Sequence, residues 1–314
     1  MSADRLPAVV AFGGGHGLAA TLQALRRVTD RITAVVTVAD DGGSSGRLRR
    51  EFGCLPPGDL RMALAALCGD DSEGRLWAEA LQSRFGGQGP LAGHALGNLL
   101  IAGLWQRGLD AVEGLDRVGR LLHAAGRVLP MSTEPLTLSG QILGHDPSQA
   151  GRLTTVLGQA EVAATPGQVV SVRLDPVDPP AHPAVIEAIG RADWLVFGPG
   201  SWFTSVVPHL LVPEQAQAVV VSPARRLVVL NLQPAGETAG LTASRHVEIL
   251  AQHAPRLRLD AVVADPRFAV DPALARQVEA LGAELTVAPV GLADGSPRHD
   301  PLLLAATLAR AMGL

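Results

Sequence analysis

Two adjacent carboxylates, Asp40 and Asp41, stand at the end of the β-branched run ITAVVTV (residues 32–38), inside the polar stretch ADDGGSSGR. Paired acids at a strand end can hold a ribose hydroxyl, bind a divalent cation or act as a base. Gly42 and Gly43 allow unusual backbone angles there, Ser44 and Ser45 bring hydroxyls, and Arg47 closes the stretch with a cation. A solvated turn has the same composition, but this one falls where an α/β sheet presents its ligand. A third acid, Asp59, follows in PPGDLR. It reads first as a helix N-cap, and second as a carboxylate aimed at the same crevice. Asp40, Asp41 and Asp59 are the candidate ligands of a metal ion such as Mg²⁺, with no certain metal and no catalytic residue fixed by the pattern.

Glycine-rich turns supply the other half of the chemistry. The chain opens with VVAFGGGHG (residues 9–17), an apolar run into Gly13, Gly14, Gly15, His16 and Gly17, followed by apolar helical sequence over 18–28. Such a turn lets backbone approach a pyrophosphate and offers it the N–H groups of the next helix. The spacing is not the G-x-G-x-x-G fingerprint of redox dinucleotide enzymes, and the acid after the second strand is double rather than single. A second turn of this kind follows DWLVF (193–197), with Gly198, Gly200, Ser201 and Thr204. GHALGN places His94 and Asn98 as donors at the start of the helix at 99–106, and RHD places Arg298 beside the last strand, with Asp300 as N-cap of the final helix at 300–312.

The elements that must position these groups alternate. Strands at 32–38, 193–197, 227–231, 260–264 and 285–288 alternate with helices, among them amphipathic sequence over 109–124 and helices at 242–253 and 272–281. This is the rhythm of a doubly wound parallel α/β sheet. Between 128 and 175 the pattern changes to Thr/Val alternation and Pro/Gly turns, which predicts a small β-rich insertion rather than an independent domain. Residues 1–314 therefore read as one α/β domain with an insertion at about 128–175.

The 314 residues are 47% hydrophobic, enough for a sizeable core, and Gly and Pro are dispersed between apolar runs. The formal net charge is −4, without blocks of like charge, so no nucleic-acid footprint is present. Cys54 and Cys68 form no C-x-x-C pair, which fits a reducing cytoplasmic setting. Residues 1–7 are too polar for a secretory signal, and no apolar run approaches membrane-spanning length, so no membrane insertion is expected.

Taken together, GGGHG, ADDGGSSGRLR, PPGDLR, GHALGN, FGPGSWFTSVVPHLLVP, QPAGETAGLTASRHV and RHDP resemble the YvcK-like gluconeogenesis factor family, related to CofD, the 2-phospho-L-lactate transferase of deazaflavin F420 biosynthesis. The resemblance runs from residue 9 to 314. It implies a Rossmann-like three-layer sandwich with a mostly parallel sheet and a β-rich insertion, assembled as a homo-oligomer. It implies binding of UDP-sugars such as UDP-N-acetylglucosamine or UDP-glucose, and a link to gluconeogenic growth, cell shape and peptidoglycan supply. No reaction is implied for the family as a whole. The alternatives are a Mg²⁺-dependent phospholactyl-type transferase acting on a deazaflavin and a non-redox dinucleotide-binding protein. By position, the ligand-facing residues would be Gly13 to Gly17, Asp40 to Ser45, Arg47, Asp59, His94, Asn98, Gly198, Gly200, Ser201, Thr204 and Arg298. Three features depart from the family pattern. His16 stands where Thr is common, Pro301 follows RHD where Thr is common, and the segment around Leu232, Gln233 and Pro234 is shorter than usual.

Overall fold

The structure, a computed structural model, describes residues 5–314; Met1 to Asp4, the start of the stretch read as too polar for a signal, lie outside the described residues. The first half runs β1 (Val9–Gly13), α1 (Gly15–Leu25), β2 (Ile32–Val36), α2 (Gly43–Phe52), α3 (Pro57–Leu67), α4 (Ser72–Gln82), α5 (Leu96–Gln106), α6 (Ala111–Leu121) and β3 (Arg127–Pro130). Then come β4 (Thr137–Leu143), β5 (Leu153–Leu157), the short α7 (Gln159–Ala163), β6 (Gln168–Asp175), α8 (Pro183–Arg191) and β7 (Trp194–Phe197). A π-helical turn, Trp202–Val206, leads through a 3-10 turn, Val207–Leu210, into α9 (Pro213–Val221) and β8 (Arg225–Val229). The chain ends with a 3-10 turn at Gly236–Thr238, α10 (Ala243–His253), β9 (Ala261–Ala264), α11 (Leu274–Ala280), β10 (Glu284–Val287) and α12 (Pro301–Met312).

Seven strands form one parallel sheet in the order β10-β9-β8-β7-β1-β2-β3. Every residue of β1, β7 and β9 is buried. That explains why these strands are apolar without alternation: helices cover both faces of the sheet, so neither face can be polar. Among these helices α1 packs on α3 and α12, α8 on α9, and α10 on α11. At the sheet centre the rings of Phe12 (β1) and Phe197 (β7) stack with centroids 4.6 Å apart. From β1 the chain winds outward through β2 and β3, then returns to β7 and winds the other way. The order therefore reverses between β1 and β7, and a crevice opens beyond their carboxyl ends.

The insertion is a three-stranded antiparallel sheet, β5-β4-β6, from Thr137 to Asp175. Residues 128–130, expected within it, instead extend the edge of the large sheet, since β3 pairs with β2. β4 alternates buried and half-buried residues, as a sheet with one covered face requires. One helix beside the crevice, α2, was not anticipated, and α3, expected to follow Asp59, begins earlier than expected. α2 begins inside the glycine–serine stretch, so Ser44 and Ser45 lie in its first turn; Gly53, in a left-handed conformation (φ +63°), ends it. α3 starts at Pro57, at a position suited to proline. No helix among the described residues is long and apolar enough to cross a membrane. Cys54 and Cys68 are both free.

Candidate functional site

The two glycine turns meet backbone to backbone at the strand-order reversal. A Cβ on Gly17 would lie 2.6 Å from Gly200 Cα, and closer still to the Pro199 carbonyl oxygen, so only glycine fits between α1 and the turn after β7. The Gly198–Pro199 peptide is cis, and the Thr21 hydroxyl of α1 donates to the Gly198 carbonyl at 2.8 Å. Asn231, just past β8, locks the far side: its side chain accepts from the Gly200 N–H and donates to the Gly200 carbonyl, both at 2.9 Å. Beneath the first turn His209 donates from Nε2 to the Gly13 carbonyl at 3.2 Å, while its Nδ1 accepts from Gln215. Burial pushes His209 down to about 4, so it is a neutral brace.

These turns border a cleft of about 570 Å³. His16, Gly17, Gly200, Ser201 and Asn231 form one side, Arg298 and His299 the other, and Ala19, Ala20 and Met62 supply an apolar wall. Arg298 and His299 lie on a two-stranded arm: the Leu292 N–H donates to the Arg298 carbonyl and the Asp300 N–H to the Val290 carbonyl. Asp265 anchors that arm, accepting from the N–H groups of Val290 and Gly291 and from Arg267. Burial alone would raise Asp265, but those hydrogen bonds hold it down to about 2. The Arg298 side chain is 72% exposed, with Asp294 at 3.5 Å as its ion-pair partner. Asp300 caps α12 as expected, accepting from the N–H groups of Leu302 and Leu303.

On the other side of Gly14 lies a polar cluster. A Cβ on Gly14 would stand 2.5 Å from Asp59 Oδ2 and 2.6 Å from Thr37 Oγ1. Asp59 does not cap α3, whose N-cap is Pro56. It turns to the first glycine loop instead, accepting from Thr37 Oγ1 at 3.2 Å. Burial, then the charge of Asp40, pushes Asp59 up to about 7. Ser45 Oγ accepts from the Gly58 N–H, and a Cβ on Gly58 would come within 2.9 Å of Asp40 Oδ2. Ser44 Oγ accepts from Asn98 Nδ2 at 3.0 Å and shares a hydrogen bond with His94 Nδ1 at 2.9 Å. Burial, reinforced by Arg47, lowers the His94 pKa.

The expected site residues thus divide. His16, Gly17, Gly200, Ser201 and Arg298 line the cleft. Asp40, Ser44, Ser45, Asp59, His94 and Asn98 form the cluster, with Gly13, Gly14 and Gly15 as the wall between. Gly42 donates its N–H to Asp40, and Gly43 (φ +45°) opens α2. Two residues point to neighbouring segments. Asp41 accepts from the Ala160 N–H at the start of α7, and Arg47 donates to the Ala92 carbonyl. Gly198 and the fully buried Thr204 lie inside the second turn. There Glu237 Oε1 accepts from the N–H groups of Phe203 (2.7 Å) and Thr204 (3.3 Å), and burial pushes this carboxyl up to about 7. Among the described residues no group of three or more His, Cys, Asp or Glu is placed to hold a metal ion. Of the three candidate carboxylates, Asp40 and Asp59 are close enough for the charge of Asp40 to raise Asp59, while Asp41 turns to α7.

Thr37, Asn231 and Asp265 were missed although each sits just past a strand's carboxyl end, the position that flags Asp40, and His299 was passed over between Arg298 and Asp300. Glu237 and His209 carried no local signal, because their partners lie 34 and 196 residues away.

A family model described as 2-phospho-L-lactate transferase CofD matches residues 9–288. The chain is 52% identical over 306 residues to a Mycobacterium tuberculosis protein named "Putative gluconeogenesis factor", covering 96% of this chain and 89% of that one. The chain belongs to the YvcK-like gluconeogenesis factors of the CofD family. Another gluconeogenesis factor, from Bacillus subtilis, is 39% identical over 249 residues, covering 79% of this chain and 75% of its own. A crystal structure of a UPF0052 family member from Bacillus halodurans superposes with a TM-score of 0.84 at 34% identity, covering 97% of this chain and 99% of that one. All three expected departures, His16, Pro301 and the segment with Leu232 and Gln233, line the cleft rather than the polar cluster.

Proposed function

We propose that this protein binds a nucleoside diphosphate sugar of the UDP-N-acetylglucosamine or UDP-glucose type, and acts as a regulatory protein in gluconeogenic growth, cell shape and peptidoglycan supply. The observation that carries the reading is the cleft at the strand-order reversal, walled by two glycine turns and rimmed by the exposed Arg298. Its size and its mix of apolar wall and convergent polar groups suit a nucleoside joined to phosphates. The turns contribute less dipole than their sequence suggests. Asp59 packs against Gly14 in the first turn, and Glu237 already accepts from the N–H groups of Phe203 and Thr204 in the second. The pyrophosphate therefore relies on the Arg298 guanidinium, whose charge-assisted hydrogen bonds contribute roughly 1.5–3 kcal/mol each. UDP-N-acetylglucosamine is expected to raise the melting temperature of the wild type and to leave that of Arg298→Ala unchanged. A wild-type protein indifferent to every UDP-sugar contradicts the reading.

The Asp40 and Asp59 pair favours a second reading, Mg²⁺-dependent transfer of a phosphorus-containing group to a deazaflavin. Burial and mutual repulsion raise the proton affinity of Asp59, and a cation shared with Asp40 would relieve both. Bound there, the ion would supply charge neutralisation to a phosphoryl oxygen. Against it stands Gly42-Gly43-Ser44-Ser45, which lacks the bulky aromatic and His residues of a deazaflavin-receiving loop. Coupled product, detected by mass spectrometry after incubation with Mg²⁺, the deazaflavin alcohol and a GDP-activated donor, would reverse the ranking.

A further inference from the structure

We infer that two copies of this chain join through β5, edge to edge about a two-fold axis at Thr155. The inference stands apart from the nucleotide-sugar reading, because β5 lies in the insertion and lines no part of the cleft. β5 is an open edge of the small sheet, paired only with β4. The Gly144 N–H donates to the Arg152 carbonyl and the Gly158 N–H to the Leu138 carbonyl, so Arg152 and Gly158 direct their backbone groups at β4. Antiparallel pairing alternates. Thr154 and Val156 therefore do the same, and Leu153, Thr155 and Leu157 direct theirs outward. Among the described residues nothing bonds to these outward groups. The side chains are exposed as well, Leu153 by 52% and Leu157 by 69%. α7 leaves this edge open: its Val162 sits over Gly140 of β4, on the buried face of the sheet.

The other sheet edges carry the devices that keep strands from pairing. β3 holds Arg127 and Pro130, β10 holds Glu284, and β6 holds Arg173 and Asp175, with a bulge in its pairing to β4. β5 reads LTTVL, with no charge, no proline and no bulge. A second copy fits it better than an unrelated strand, because the sequence is its own complement. Centred on Thr155, Leu153 faces the partner's Leu157, Thr155 faces Thr155, and Leu157 faces Leu153, all on the exposed face. That register uses every outward N–H and C=O of the strand. The charges match too. Arg152, an exposed side chain bonded to Gln149, stands opposite the partner's Gly158, and the Asp41 carboxylate packs against Gly158 where it accepts from Ala160. Each cation thus meets the other copy's carboxylate, twice by symmetry. Through Asp41 the partner reaches the stretch that also carries Asp40 and Ser44. A five-residue edge is small beside the roughly 1,200–2,000 Å² of a stable complex, so the association is expected at micromolar rather than nanomolar concentration.

The test is sedimentation velocity of the full chain from about 1 to about 200 μM, a range that brackets micromolar association. The wild type is expected to pass from monomer to dimer mass. Thr155→Pro removes an outward N–H and leaves the β4 ladder intact, since that ladder uses residues 152, 154, 156 and 158. It is expected to stay monomeric with a melting curve close to that of the wild type. Arg152→Glu sets like charges against Asp41 and is expected to weaken the dimer about tenfold. Should Thr155→Pro fail to fold, Thr155→Cys decides. Across such a pair the Cα atoms lie about 5.5 Å apart, within the about 4.4–6.8 Å that a disulfide spans. Oxidation with copper phenanthroline is expected to give a covalent dimer that dithiothreitol reverses. The wild type, whose Cys54 and Cys68 are free, and Arg173→Cys, on the opposite edge of the small sheet, are expected to give none. A wild type monomeric throughout, a Thr155→Pro or Arg152→Glu protein that associates like the wild type, or a Thr155→Cys protein that crosslinks no better than Arg173→Cys overturns the inference. None of these results touches the nucleotide-sugar reading, and a protein that ignores every UDP-sugar leaves this inference standing.

Discussion

Replacing Gly17 by alanine probes the junction on which the cleft depends. The added methyl would sit 2.6 Å from both Gly200 Cα and the Pro199 carbonyl carbon, well inside van der Waals contact. Neither neighbour can swing aside as a side chain would. Both are backbone, and Gly200 is held by two 2.9 Å hydrogen bonds to Asn231. The two strand-to-helix turns must separate, at a cost near the top of the roughly 1–3 kcal/mol typical of overpacking. A loss of about 3 kcal/mol corresponds to a fall in melting temperature of about 6–12 °C at roughly 2–4 °C per kcal/mol. Gly103 in α5 is the control: a Cβ there meets nothing within 4 Å, and alanine should stabilise by roughly 0.5–1 kcal/mol through helix propensity. Differential scanning calorimetry of the two variants measures both effects. A Gly17→Ala protein that melts within a degree of wild type would refute the claim that the turns are locked together.

Glu237→Gln tests the buried carboxyl that fills the second turn. Its folded pKa of about 7 lies above the ordinary 4.5, so its contribution to stability is complete below pH 4.5 and is lost as pH rises through 7. The variant should therefore gain on the wild type between pH 5 and pH 8, by up to about 1.4 kcal/mol per pH unit, in urea denaturation at the two pH values. A constant difference would show that the carboxyl is not shifted. Asp59→Asn should show the same sign of pH dependence, since its folded pKa is also raised to about 7. Asp41→Ala should cost roughly 0.5–2 kcal/mol, the usual value of a helix cap, because it removes the acceptor at the start of α7. Limited proteolysis within residues 137–175 should accelerate with it, and an unchanged digestion pattern would mean that the insertion is held elsewhere.

The alternation of apolar strands and helices was legible because β1, β7 and β9 are buried on both faces and so carry no polar residue. Asp40, the glycine turns and Arg298 were legible for a related reason: strand ends in a doubly wound sheet are where ligands are met, and residue types there carry meaning. The division into a cleft and a separate polar cluster was not. It follows from Asp59 folding back onto Gly14, and a residue at the start of a helix looks the same in sequence whether it caps its own helix or braces another loop. α2 was read as loop because glycine and serine dominate its first turn, although Arg49, Arg50 and the left-handed Gly53 give it a well-formed end. Glu237 and His209 act across long sequence separations, so only tertiary structure gives them a role.

The central claim is that the cleft between the two glycine turns and the 290–300 arm holds a nucleotide sugar. The most direct measurement is a crystal structure of this chain grown with UDP-N-acetylglucosamine. The account predicts an intact ligand whose pyrophosphate lies against the Arg298 guanidinium, beside Gly17 and Gly200. Density for the nucleotide anywhere else, or a cleft filled only by solvent at saturating ligand, would contradict it.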